Sequence, residues 1–216
     1  MKNINRFIEH TNLKPTVTSK DIDVLIQEAV QYSFVGVCVP PFWVKKTKRD
    51  IQENDIQLVT VIGFPLGYNM TETKLQEMEM AISNGADELD LVMNVSSFKT
   101  GLNWAKIEMA KASKLTHEAN CLLKVIIETA YLSDEEIVTA AKLASDAGVD
   151  FVKTSTGFAP GGAKVDHIKL LRKVLPSNVG IKASGGIKDS ETAIAMIDAG
   201  ADRIGCSASV SIVNGK

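Results

Sequence analysis

The chain has 216 residues, 45% hydrophobic and 23% charged, enough for one substantial core of ordinary globular composition, so one domain over 1–216 is expected. A formal charge of −2 and a pI near 6.0 offer no broad attraction to nucleic acid or an anionic membrane, so any anion site must be local and its ligand small. Three cysteines, Cys38, Cys121 and Cys206, fall in separate apolar runs without CxxC or Cys/His spacing, which argues against a disulfide framework or zinc site and for a reducing cytoplasm.

Residues 1–6 lack the apolar stretch of an export signal, and no window approaches the roughly 18 apolar residues of a membrane span, so a soluble, unexported protein is expected. A first strand is expected over 6–11, followed by helical spacing over 19–32. The alternation then repeats: strand 34–39 and helix 42–53, strand 57–63 and helix 72–84, strand 88–94 and helix 102–119, strand 121–128 and helix 134–147. It continues with strand 151–154 and helix 165–175, strand 180–184 and helix 190–199, and strand 202–206. Thr71, Ser133 with Glu136, and Asp189 supply N-terminal caps. Gly85, Gly148 and Gly200 each close a helix two residues before an Asp that leads into the next strand. This recurrence signals βα repetition. Eight strands with seven clear helices predict a parallel (β/α)8 TIM barrel over an open doubly wound sheet. No Gly-x-Gly-x-x-Gly follows the first long strand, which removes the usual dinucleotide site. Only ten residues, 207–216, follow the eighth strand, so the last helix should be short or missing.

Strand parity locates the chemistry. In 88–94, Leu89, Leu91 and Met93 suit packing under helices, which turns Asp90 inward with Glu88. The same parity puts Leu123, Val125 and Ile127 outside and Lys124 and Glu128 inside, and it turns Lys182 away from Ile181. Lys153 stands in a short apolar run that opens into a Ser/Thr/Gly loop. Alone it reads equally as a snorkelling lysine; three inward lysines with a carboxylate point to catalysis. Lys153 and Lys182 lie on neighbouring strands, where two ammonium groups about 5 Å apart repel by roughly 3 kcal/mol at an effective dielectric of 20. Repulsion and desolvation would free one amine to attack carbonyls, with Asp90 moving protons and Lys124 keeping Asp90 ionised. Gly185 and Gly186 after the seventh strand, Gly205 and Ser207 at the eighth, and Gly157 after the sixth predict a phosphate site, near helix N-termini.

The segments 151–158 (FVKTSTGF), 182–187 (KASGGI), 88–94 (ELDLVMN), 123–129 (LKVIIET) and 37–40 (VCVP) together resemble the 2-deoxyribose-5-phosphate aldolase family, almost end to end. The resemblance implies a class I aldolase that reversibly cleaves 2-deoxy-D-ribose 5-phosphate to acetaldehyde and D-glyceraldehyde 3-phosphate. It implies Lys153 as the imine-forming amine, Lys182 as the cation beside it and Asp90 as the proton relay. Cys38 lines the pocket, and Lys124, Glu9 and Thr156 support it. No cofactor beyond the covalent lysine imine and no metal is implied. The partners are a phosphorylated sugar and aldehydes, with no nucleic acid and no membrane; a homodimer or higher homo-oligomer stays open. Glu9 stands where the family usually has Asp. Cys206 and Ala208 replace small hydroxyl residues, which leaves Ser207 and backbone amides for phosphate and lowers the expected affinity. The C-terminal tyrosine of some longer members is absent here.

Two rivals remain open: an imine-forming aldolase or transaldolase-like enzyme with another donor, and a phosphosugar-binding barrel without turnover. The second would need a disabled Lys153, Lys182 or Asp90, and none is. His10, His117 and His167 share no ligand spacing, Met78, Met80 and Met109 suit helix packing, and Trp43 and Trp104 suit core or oligomer contacts.

Overall fold

Short runs rich in Val, Ile and Leu, each followed by a helical stretch, produce eight parallel strands in the computed structural model, which describes residues 4–101 and 103–215. The strands are β1 (Ile8–Thr11), β2 (Gly36–Val39), β3 (Gln57–Ile62), β4 (Glu88–Val92), β5 (Leu122–Ile126), β6 (Phe151–Lys153), β7 (Gly180–Ser184) and β8 (Arg203–Cys206). They pair in sequence order and β8 returns to β1, closing the barrel. The outer helices are α1 (Ser19–Tyr32), α2 (Val44–Ile51), α3 (Thr71–Ser83), α4 (Val95–Lys99), α5 (Trp104–Glu118), α6 (Asp134–Asp146), α7 (Val165–Val174), α8 (Ser190–Asp198) and α9 (Ser209–Val213). The architecture is the expected TIM barrel.

Caps fix several boundaries. Thr18 with Asp21 and Ser133 with Glu136 form capping boxes ahead of α1 and α6, each contributing about 1 kcal/mol. Asp189 caps α8 by accepting from the Thr192 amide at 2.8 Å. The expected Thr71 cap is corrected: Met70 holds that position without a side-chain bond, and the Thr71 hydroxyl donates to Glu108 at 3.1 Å. The repeated glycines do turn the chain, with φ of +97° at Gly85, +81° at Gly148 and +112° at Gly200, a region that a Cβ disfavours. β3, β4, β5 and β6 end one or two residues inside their expected bounds, although the Met93 amide still donates to the Ile126 carbonyl at 3.0 Å. Residues 6 and 7 form part of a 3-10 turn, Ile4–Phe7, rather than strand. Leu102, the expected start of one helix, lies outside the described residues.

The core lies between strands and helices. Leu89, Leu91, Leu123 and Val125 point outward and pack, fully buried, with Met78 and Met109 from α3 and α5. Each such side chain contributes about 2 kcal/mol by burial. Met80 is corrected: it is 61% exposed on the solvent face of α3. Trp43 packs on the core, whereas Trp104 is exposed. Among the described residues no helix is long and apolar enough to cross a membrane.

Candidate active site

Because β4 to β7 keep their outward residues under the helices, the alternate residues fill the barrel. Parallel register sets Asp90 beside Lys124 and Lys153 beside Lys182. Closure of β8 on β1 brings Glu9 to the same cluster. Asp90, Lys124, Lys153, Lys182, Glu9 and Glu88 are all buried. Two of these, Glu9 and Glu88, matter more than their sequence context suggests.

Asp90 is the hub. Its Oδ2 accepts from Lys153 Nζ at 2.8 Å and from Lys182 Nζ at 2.6 Å, while Oδ1 accepts from Lys124 Nζ at 3.1 Å. Lys182 also pairs with Glu9, and Lys124 pairs with Glu88 and lies 3.6 Å from Glu9 Oε1. Three lysine side chains thus meet three acidic ones. Burial alone would raise the Asp90 carboxyl, but the charges of Lys124, Lys153 and Lys182 outweigh it and hold that carboxyl well below the usual range. Burial likewise opposes the charged form of Lys182, yet Asp90 and Glu9 raise its pKa above the ordinary lysine value, so Lys182 stays cationic. Lys124 is raised in the same way by Asp90, Glu9 and Glu88 against burial. One Asp90 oxygen accepts from both Lys153 and Lys182, so the repulsion expected between the two acts beside a shared carboxylate.

Above this cluster the C-terminal ends of β6, β7, β8 and β1 enclose a cavity of about 330 Å³. All five expected phosphate residues, Gly157, Gly185, Gly186, Gly205 and Ser207, line it. Lys153 and Thr156 reach the same space, which joins the amine to the glycine loops. At the N-terminus of α8, Asp189 accepts from the Thr192 amide at 2.8 Å. Lys14 and Lys188 also line the cavity and add two cations. They stand three and four residues after the ends of β1 and β7, in the loops at the barrel's C-terminal face, which is the signal that could have marked them.

Other expected residues fall nearby or apart. Cys38 points into the barrel but packs with Val59 and Val61 and does not line this cavity; its thiol is pushed up to about 11 by burial. Cys206 is lining and its thiol is likewise pushed up to about 11 by burial. Thr156 is held from β5: its amide donates to Glu128 Oε2 at 3.1 Å and its hydroxyl donates to the same oxygen. His10 bonds Glu28 and Ser209, His117 bonds Asp150, and His167 lies 3.8 Å from Asp134. No group of three His, Cys, Asp or Glu side chains suited to a metal occurs among the described residues. The chemistry this arrangement offers is a lysine amine at a cavity floor, a relay carboxylate and an anion-binding rim.

Comparison with known proteins gives consistent matches. Residues 6–210 match the model of the DeoC/LacD family aldolases. The chain is 51% identical over 214 residues to deoxyribose-phosphate aldolase of Brevibacillus brevis, covering 99% of this chain and 96% of that one. Among solved structures, the aldolase QR15 superposes with a TM-score of 0.94 at 40% identity, covering 99% of this chain and 96% of its own. The tetrameric deoxyribose phosphate aldolase from Aeropyrum pernix superposes with a TM-score of 0.91 at 32% identity, covering 98% and 89%.

Proposed function

The chain belongs to the DeoC/LacD family of aldolases and is a carbon–carbon lyase, and from that premise we propose that it reversibly cleaves 2-deoxy-D-ribose 5-phosphate through a lysine imine. The observation that carries this reading is Lys153 Nζ, 2.8 Å from Asp90 Oδ2, on a cavity whose rim is built from the glycine loops. Lys153, as the neutral amine, attacks C1 of the open-chain sugar, and loss of water gives the iminium. A proton leaves the C3 hydroxyl, the C2–C3 bond breaks, and its electron pair flows to the iminium nitrogen. D-glyceraldehyde 3-phosphate departs. The remaining enamine takes a proton at C2, and water releases acetaldehyde and the amine. Asp90, its carboxyl held well below the usual range by its lysine neighbours, is the carboxylate that relays protons. Lys182 is the cation that disfavours a second charge at Lys153, and Lys124, Glu9 and Glu88 hold the hub in place. Gly157, Gly185, Gly186, Gly205 and Ser207 receive the phosphate, with Lys14 and Lys188 adding charge.

On this reading the iminium is the electron sink, and no metal or separate cofactor takes part. Three free, buried cysteines support a cytoplasmic setting, and the tetrameric relative supports a homo-oligomer. Borohydride trapping with acetaldehyde, followed by peptide mapping, tests the proposal. The expected adduct is on Lys153, with turnover unchanged after exhaustive chelation. No adduct, or loss of turnover on chelation with rescue by zinc, refutes it.

A further inference from the structure

Glu128 follows β5, and its side chain enters the barrel between two ladder bonds, from the Ile127 amide to the Lys153 carbonyl at 3.0 Å and from the Thr129 amide to the Thr154 carbonyl at 2.9 Å. It therefore stands two residues, about 7 Å along the strand, beyond Ile126, the register partner of Lys153. That is the level at which carbons two or three bonds from a lysine imine would lie.

Three features of Glu128 are costly. Its backbone is left-handed, with φ of +53° and ψ of +70°, which is uncommon for any residue with a Cβ. Its side chain is buried, and its Oε1 has no hydrogen-bond partner among the described residues. Its Oε2 takes both the amide and the hydroxyl proton of Thr156. A threonine hydroxyl has one proton to give. The Phe158 amide in turn donates to Thr156 Oγ1 at 3.1 Å. With its proton committed to Glu128, Thr156 can offer only a lone pair to a ligand. Thr156 lines both the main cavity and a second cavity of about 60 Å³ that Glu128 and Phe158 also line.

We propose that Glu128 is a positioning residue that sets substrate specificity: it holds the Thr156 hydroxyl proton, so the wall beside Lys153 accepts a hydrogen bond from the hydroxyl of a hydroxyaldehyde. This rests on the aldolase reading above. An aldehyde without that hydroxyl leaves Thr156 Oγ1 without its donor and reacts less well. The Phe158 and Glu128 bonds keep Oγ1 from turning to donate instead.

The test compares kcat/KM for addition of acetaldehyde to D-glyceraldehyde 3-phosphate and to 3-oxopropyl phosphate, the same acceptor lacking the 2-hydroxyl. Glu128→Met removes the acceptor of the Thr156 proton and should lower the preference for the hydroxylated acceptor about tenfold. Glu128→Gln keeps a carbonyl oxygen for both Thr156 protons and should hold the preference within about threefold of the parent. Acetaldehyde trapping on Lys153 is measured in parallel, so a change in preference with trapping intact concerns Glu128 and not the imine. Equal losses with both acceptors, an unchanged preference in Glu128→Met, or an equal collapse in Glu128→Gln would overturn the proposal. Thr156→Val removes the hydroxyl and keeps its shape; it should show the same tenfold loss, and an unchanged preference there would overturn the proposal even if Glu128→Met does not fold.

Discussion

Lys182→Met tests how the lysine pair is tuned. Lys153 and Lys182 lie 2.8 and 2.6 Å from one Asp90 oxygen, so their ammonium groups are roughly 5 Å apart at most and repel by about 3 kcal/mol at an effective dielectric of 20. Methionine removes that repulsion but leaves Asp90 attracting Lys153. The ammonium form of Lys153 gains, and the pH midpoint for imine formation should rise by about two pH units. The assay is borohydride trapping of acetaldehyde across neutral to alkaline pH, with the adduct mapped to Lys153. The substitution also leaves Glu9 with only Lys124 at 3.6 Å and Arg203 at 3.9 Å, a destabilisation of about 3–5 kcal/mol. Thermal melts must accompany the profile, so that trapping is read only where the protein is folded. Lys182→Arg restores the charge on a larger planar group and should bring the midpoint part of the way back. A midpoint identical to the parent in the folded methionine variant would show that desolvation alone tunes Lys153, and the charge argument would fail.

At the rim, Gly186 has φ of +79° and nothing within 4 Å of an added Cβ, so Gly186→Val strains the loop and crowds the cavity without colliding with the wall. KM for the phosphorylated sugar should rise at least about tenfold while KM for 2-deoxyribose changes little, and equal losses would move the anion site elsewhere. At the hub, the Asp90 pKa is depressed in the fold, so its stabilisation is present above the ordinary value of 3.8 and is lost as pH falls through the lower folded value. Asp90→Asn should cost about 3–5 kcal/mol in denaturant melts at neutral pH, and the gap to the parent should narrow only in strong acid; a gap that does not change with pH would refute the linkage.

Much of the barrel could be read from local chemistry. β7 and α1 match their expected bounds because Gly180 and the Thr18 capping box stop them sharply. The five-residue α4 was missed, since NVSSFK is too short to show a helical period; its start is marked only by Asn94 accepting from the Ser97 amide at 2.9 Å. Parity found Asp90, Lys124, Lys153 and Lys182, because an inward charge on an otherwise apolar strand stands out. The pairing of Asp90 with Lys124 was also legible, but the part that Glu9 plays was not. Glu9 meets Lys182 across 173 residues of sequence, and only the β8–β1 pairing reveals it.

The buried network also divides by strand order. Glu9, Glu88 and Asp90 come from β1 and β4, whereas Lys124, Lys153 and Lys182 come from β5, β6 and β7. The two halves of the barrel therefore carry opposite interior charges, three negative and then three positive. Neither half could bury its own strands without also burying like charges that have no counterion. During synthesis the first four strands emerge as an acidic wall that must stay wet until the basic wall follows. Ring closure is then the step that dries the interior, and two separated half-barrels would be poor folding units yet electrostatically matched to one another.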